Sequence, residues 1–284
     1  MNTSPQPLVL VTGGTGKTGR RIIQRLTARG LAVRCGSRSA TPAFDWNDAS
    51  TWSAALADVT SVYIAYSPDI TMPGAVDIVR EFCDAATAAG VEQLVLLAGR
   101  GEEEAEASES IVRASGARWT IVRASWFAQN FSEDFLYDSV LAGEILLPAG
   151  DHGEPFVDVD DIADVAVAAI ADGGHDARTY DVTGPRLLTF AEAARELSAA
   201  TGRQITYSDV APADYLQAAI EQGVPEPLAQ ALTALFPRVL DGRNAHLGNG
   251  VREALGRPPR DFTDYARTVA ADGTWAPHNS WSSR

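Results

Sequence analysis

Val11-Thr12-Gly13-Gly14-Thr15-Gly16-Lys17-Thr18-Gly19 follows an apolar run, Leu8–Thr12, and opens a segment with helical periodicity. Its glycines satisfy both Gly14-x-Gly16-x-x-Gly19 and Gly13-x-x-Gly16-x-x-Gly19. In a strand–turn–helix unit one such glycine makes the tight turn and one lets a pyrophosphate approach the backbone. The third lets the helix press on the strand. The helix start then offers N–H groups and a positive dipole end to the anion. Gly13, Thr15, Gly16, Lys17, Thr18 and Gly19 are therefore candidate dinucleotide-binding residues. Gly16-Lys17-Thr18 mimics the end of a triphosphate-binding loop, but that motif needs a glycine where Val11 stands.

On either side of this loop, short β-rich runs alternate with helix-period segments. Strands are predicted at Leu8–Thr12, Ala32–Ser37, Ala43–Trp46, Ser61–Tyr66, Gln93–Ala98, Trp119–Ala124 and Thr179–Val182. Gly30, Gly90 and Gly116 stand where the intervening helices should end. Repetition of strand, helix, glycine and strand predicts an α/β fold, a doubly wound parallel sheet of Rossmann type. From Gly184 the pattern turns helical. Thr189-x-x-Glu192 is a capping box for a helix to Gly202, and helical periodicity continues through Ala213–Gln222, Pro225–Leu240 and Phe262–Ala271. Pro258-Pro259 is a break. The expected organisation is a dinucleotide-binding domain over 1–183, a smaller, mostly helical substrate lobe over 184–276, and a frayed tail over 277–284. Strand-end loops at 66–70, 98–104 and 125–157 are expected to contribute to the pocket.

The residues after the second strand choose between the two pyridine dinucleotides. An NAD site places Asp or Glu there to hold the ribose hydroxyls. Val33-Arg34-Cys35-Gly36-Ser37-Arg38 has no acid before Asp45. Arginine pairs a 2′-phosphate through two parallel bonds, and serine donates to it. NADP(H) is thus the expected cofactor, held by Ser37 and Arg38, with Asp45 in reach of the adenine amino group. By the crevice rule for open α/β sheets, Tyr66, Ser67, Ala98 and Gly99 should flank the nicotinamide. Trp126, Phe127 and Asn130 follow the next strand and are candidate substrate contacts, with core packing as the alternative for Trp126 and Phe127.

Composition narrows the function classes. The 284 residues are 45% hydrophobic and carry a net charge of −14, which disfavours disorder and direct nucleic-acid binding. Two cysteines, Cys35 and Cys83, cannot build a disulfide framework, which suits a reducing compartment. No apolar run approaches the roughly 20 residues of a membrane span, and the polar Met1–Pro7 lacks a signal pattern. A cytoplasmic, soluble protein without membrane partners is expected. His152, His175, His246 and His278 have no metal-ligand spacing. Glu102-Glu103-Glu104, and likewise Asp158, Asp160 and Asp161, are read as solvated faces at helix starts.

Most short-chain dehydrogenases use a Tyr-x-x-x-Lys pair, with the tyrosine as proton donor. The chain has one lysine, Lys17, and Gly13 stands four residues before it. The customary serine is missing as well, since that stretch reads Leu96-Leu97-Ala98-Gly99-Arg100-Gly101. Tyr66 and Tyr137 are the only tyrosines to suggest themselves as donors, with no positional argument for either.

Thr12–Arg20, Trp119–Phe131 and Val157–Val165 together resemble the NmrA-like atypical short-chain dehydrogenases. Phe44-Asp-Trp-Asn-Asp48, Thr51-Trp52, Trp126–Ser132 and Gly256-Arg-Pro-Pro-Arg260 resemble more particularly the festuclavine and agroclavine dehydrogenases of ergot alkaloid biosynthesis. That resemblance implies NADP(H) and reduction of a cyclic iminium to an amine. Two functions follow as expectations. One is an NADPH-dependent reductase of a small iminium, imine or conjugated carbonyl such as a quinone. The other is a non-catalytic NADP(H) sensor of the NmrA type that acts through a protein partner.

Overall fold

The computed structural model describes residues 7–221 and 223–276. The expected tail at 277–284 and the first six residues lie outside that range. The chain begins β1 (Leu8–Thr12), α1 (Lys17–Ala28), β2 (Ala32–Gly36), α2 (Trp52–Leu56) and β3 (Val59–Ile64). It continues α3 (Ala75–Ala88), β4 (Gln93–Gly99), α4 (Glu103–Ala114) and β5 (Arg118–Ala124). Next come α5 (Asn130–Glu133), α6 (Tyr137–Ala142), β6 (Glu144–Leu147), α7 (Val159–Ala171) and β7 (Arg178–Val182). The last elements are α8 (Phe190–Thr201), β8 (Thr206–Asp209), α9 (Pro212–Glu221), α10 (Glu226–Val239), α11 (Gly250–Leu255) and α12 (Phe262–Ala271).

Two compact units divide these elements. The first comprises 1–125, 159–183 and 248–259, and the second comprises 126–158, 184–247 and 260–284. This differs from the expected single boundary at Gly184. The loop after β5 belongs to the second unit, and the segment carrying α11 returns to the first. Pro258-Pro259 marks where it leaves again.

The first unit is a six-stranded parallel sheet in the order β2-β1-β3-β4-β5-β7. Val9, Leu10 and Val11 are fully buried, as are Val62, Tyr63 and Ile64 and Leu94, Val95 and Leu96. Consecutive burial means both faces are covered, which is why these strands read as apolar runs without alternation. α1 packs with α7, and α3 with α4. Because the chain runs from β1 outward to β2 and then crosses back to β3, the switch point of the sheet lies between β1 and β3.

The strand expected at Ala43–Trp46 does not form; Asp45 makes only an isolated bridge with Asp48. Phe44 and Trp46 are buried instead in an aromatic cluster with Trp52 and Phe82. The Trp46 indole donates to the Ala65 carbonyl and the Trp52 indole to that of Asp45. Alternating burial of a loop thus imitated the pattern of an edge strand.

Ion pairs hold α7 to its neighbours. Arg21 and Arg25 of α1 reach Asp160, Arg25 also reaches Asp164, and Arg257 pairs with both Asp161 and Asp164. The expected solvated role of Asp160 and Asp161 is therefore corrected, for the Asp161 side chain is fully buried. The reason is that α7 lies against α1, so its acidic first turn meets arginines.

The second unit is mostly helical around an aromatic core that includes Phe131, Phe156, Phe190, Phe236, Phe262 and Trp275. It also holds a two-stranded parallel sheet of β6 and β8 that the helical periodicity did not foretell. The capping box forms as expected: Thr189 accepts from the Glu192 amide, and Glu192 accepts from the Thr189 amide. Arg186 donates twice to Asp261, which in turn caps α12 by accepting from the Thr263 amide. The bonds from Arg186 hold the Asp261 carboxyl below the usual range, at about 2. A depressed folded pKa gives stability that is complete above the unfolded value of about 3.9 and lost as pH falls towards 2. Asp261→Asn is therefore expected to cost on the order of 1 kcal/mol at pH 7, after screening of a partly exposed pair. The gap to the parent should close between about pH 4 and pH 2. Urea titrations across that range, in which the gap stays constant, would remove this ion pair from the stability of the unit.

Candidate functional site

The glycine loop joins β1 to α1 at the carboxyl ends of the strands. Gly13 has φ +61°, the left-handed region that a side chain resists, and its Cβ position would face Ala65 at 3.4 Å. The Gly13 carbonyl accepts from the Gly16 amide at 2.8 Å, which closes the turn. Gly19, one turn into α1, lies so near the Gly13 carbonyl that a Cβ there would overlap it. The close approach is thus to the loop itself, where contact with the strand was expected. Gly14 leaves no room either, since a Cβ would stand 2.6 Å from the Cys35 sulfur.

Below the loop, Thr12 donates its hydroxyl to the Tyr63 carbonyl and accepts from the Ala65 amide. Tyr63 is completely buried, and Thr18 of α1 faces its phenol, whose pKa burial pushes up. Gly36 completes the base: its carbonyl accepts from the Gly14 amide, and its Cβ position lies 3.0 Å from the Thr12 Cα. Thr12, Tyr63 and Gly36 were not among the expected site residues. Gly36 alone had a signal, as a glycine ending the second strand one residue before Ser37.

A cavity of about 580 Å³ runs along β2 and past its carboxyl end, lined by Thr15, Val33, Arg34, Cys35, Ser37, Ser39, Ala40, Thr41 and Leu8. Thr15 and Ser37, both predicted ligands, are brought to one cavity. The two arginines of this segment part company. Arg34 donates to the Ala55 and Ala57 carbonyls at the end of α2, each at 2.7 Å. Arg38, between Ser37 and Ser39, is exposed and has no polar partner among the described residues. Asp45 accepts from the Asn47 amide through its carboxylate and from the Trp52 indole through its carbonyl. Beyond it, Trp46 packs on Tyr66 with ring centroids 5.1 Å apart. Partial burial raises the Tyr66 phenol above its usual value. Tyr66 and Ser67 follow β3, and Ala98 and Gly99 close the adjacent β4.

The other candidates belong to the second unit. Trp126 packs against Phe135, Phe190 and Phe236, and its indole N–H is buried without an acceptor among the described residues. Phe127 bridges Val157, and Asn130 begins α5. The Tyr137 hydroxyl donates to the Thr274 carbonyl at 3.2 Å. Among the described residues no cluster of histidine, cysteine, aspartate and glutamate could hold a metal ion, and no helix is long and apolar enough to cross a membrane.

Residues 13–173 match the family model described as NAD(P)H-binding. The chain belongs to that family. It is 31% identical to the NAD(P)H azoreductase of Xenophilus azovorans, over 93% of this chain and 98% of that one. It is 30% identical to the agroclavine dehydrogenase of Claviceps fusiformis, over 90% and 95%. The resemblance to the clavine dehydrogenases extends in this way over nearly the whole chain. The crystal structure of the Citrobacter sp. triphenylmethane reductase complexed with NADP(H) has the same fold, with a TM-score of 0.75 over 92% of this chain and 99% of that one at 22% identity.

The loop of this family member fits a dinucleotide. At Gly13, Gly14 and Gly19 a Cβ would meet Ala65, Cys35 and the Gly13 carbonyl, so glycine keeps the turn folded tightly on its own strands and helix. α1 opens on Gly16 with no side-chain cap and no acid in its first turn, so its positive end is left for an anion. NAD(P)H is its cofactor.

Proposed function

We propose that the chain is an NADPH-dependent reductase that delivers hydride to a small electrophile, a cyclic iminium or imine or a conjugated carbonyl such as a quinone. The observation that carries this reading is a complete glycine loop after β1 together with a β4 end, Ala98-Gly99, that carries neither serine nor tyrosine. The names of the azoreductase, agroclavine dehydrogenase and triphenylmethane reductase relatives support a reductase.

When bound, NADPH supplies a hydride from nicotinamide C4. In this reading Gly13, Thr15, Gly16, Lys17, Thr18 and Gly19 hold the pyrophosphate. Ser37 and Arg38 take the 2′-phosphate, and Asp45 the adenine. Tyr66, Ser67, Ala98 and Gly99 flank the nicotinamide, while Trp126, Phe127 and Asn130 contact substrate. Ketone reduction builds negative charge on oxygen that must be protonated or stabilised. An iminium needs neither, because the new C–H bond forms as the C=N π pair withdraws onto nitrogen, which becomes a neutral amine. What the chain must supply is orientation, with the reacting atoms held about 3–3.5 Å apart. Of the tyrosines, Tyr137 is already engaged by Thr274, which leaves Tyr66 for any acceptor that needs a proton.

Purified protein with NADPH and a panel of cyclic iminium ions, enones and quinones should lose the absorbance of the reduced nicotinamide at about 340 nm. Saturable NADPH binding with no turnover across the panel would count for the sensor reading and against the reductase.

A further inference from the structure

A carboxylate lies over the carboxyl end of β4 in this chain. β4 ends at Gly99, and Arg100 is withdrawn from the sheet end, since its side chain is 3% exposed and its Nε lies 2.7 Å from Asp181 Oδ1 of β7. Gly101, at φ +69°, then turns the chain into α4. Glu102 is the residue before that helix, with extended backbone (φ −108°, ψ 122°), and its side chain does not cap. It folds back over Gly99, so closely that a Cβ on residue 99 would fall within its carboxylate group. The expected role of Glu102 as part of a solvated capping face is thereby corrected. Glu103, Glu104 and Glu106 already place negative charge in the first turn of α4, so the helix dipole does not require Glu102.

The geometry points to Glu102 as the residue that selects a positively charged hydride acceptor, an iminium ring, over a neutral one. This rests on the reductase reading, which sets the nicotinamide beside Ala98 and Gly99. A half-buried carboxylate at the carboxyl end of β4 stabilises a cation placed near it far more than water-exposed charge does. Glu102 has a further interaction of its own, but a carboxylate offers about four acceptor positions. It exchanges no atom with the substrate. Hydride still passes to the iminium carbon, and Glu102 favours the cation before that step. Only glycine at 99 leaves the space, which makes Gly99 and Glu102 a pair.

The test uses the full chain loaded with NADPH and two ligands that cannot accept hydride. These are the quaternary N,N-dimethyl-tetrahydroisoquinolinium ion and its neutral carbon isostere, gem-dimethyltetralin, each titrated by the cofactor's fluorescence. The parent is expected to prefer the cation by about tenfold or more, as a close charge pair implies. Glu102→Gln should bring the preference within about threefold, on the same charge-pair reasoning. Gly99→Ala should do the same, because the added Cβ displaces the carboxylate, and it decides the matter if Glu102→Gln does not fold. A parent that does not bind the cation preferentially, or variants that keep the preference, would overturn the assignment. A parent that discriminates between the ligands yet oxidises no NADPH with reducible iminium ions would sustain Glu102 and sink the reductase reading.

Discussion

Arg123→Met is expected to lower the free energy of unfolding by about 3–5 kcal/mol, the usual consequence of removing one partner of a buried ion pair. Glu109 of α4 is the member that would lose its two bonds from Arg123 and keep one from Arg113. Its side chain is 1% exposed, and it accepts from the Arg123 Nε at 2.7 Å, from the Arg123 Nη2 at 2.5 Å and from Arg113 at 2.8 Å. Those bonds raise the Arg123 pKa further, and they tie α4 to β5. Methionine keeps the apolar stem, so the loss is of charge and hydrogen bonds with little change in packing. Arg113, which also lies over the Trp119 ring, would remain as the close cation, among the described residues, for a carboxylate removed from water. The reverse deletion should be milder. Glu109→Gln leaves two arginines that are 30% and 36% exposed and can be hydrated, at about 1–3 kcal/mol. Urea unfolding measures both variants through the midpoint at constant slope. If Glu109→Gln proved the more damaging, or Arg123→Met cost less than about 1 kcal/mol, the buried carboxylate would not be what fixes α4.

Neither residue of that pair could be singled out from the sequence, and the reason distinguishes what was legible from what was not. The glycine loop was legible because its constraints are local: the positive φ of Gly13 and the contact of Gly19 with Gly13 involve residues at most six apart. The doubly wound parallel sheet needed only the apolar runs and the turns between them. Arg21 and Asp160 are 139 residues apart, so nothing near either one says that an acidic first turn on α7 will meet arginines. β6 and β8 are short segments that become strands only by pairing Glu144 with Thr206. The aromatic loop at Phe44–Trp46 alternates like a strand because both patterns bury every second side chain. Its real partner, the Ala65 carbonyl, lies 19 residues on. Glu102 was misread for a related reason. An acidic residue before a helix usually serves the helix, and only the space over Gly99 redirects it.

Arg38→Ala is expected to weaken NADPH by about 1.5–3 kcal/mol, roughly 10- to 150-fold, for the loss of a charged hydrogen bond to phosphate. NADH, which lacks the 2′-phosphate, should change by less than about threefold on the same account. The structure sharpens the expectation by separating two arginines that the sequence left equivalent. The Arg34 guanidinium is spent on the carbonyls of Ala55 and Ala57, where it closes the end of α2. Arg34→Ala should therefore reduce stability and leave the NADPH-to-NADH ratio nearly unchanged. Arg38 has no such commitment among the described residues, and the hydroxyls of Ser37 and Ser39, 3.3 Å apart, flank it beside the cavity along β2. Arg38→Lys would keep the charge but lose the planar fork, so an intermediate ratio is expected. Because Arg38 is exposed, added salt should erode the parent's NADPH preference and leave NADH binding less affected. Titration calorimetry of the parent and the three variants with both dinucleotides reads the binding outcomes, and urea unfolding reads the stability of Arg34→Ala. Equal weakening of NADPH and NADH by Arg38→Ala would transfer the 2′-phosphate to another group or remove it from the site altogether.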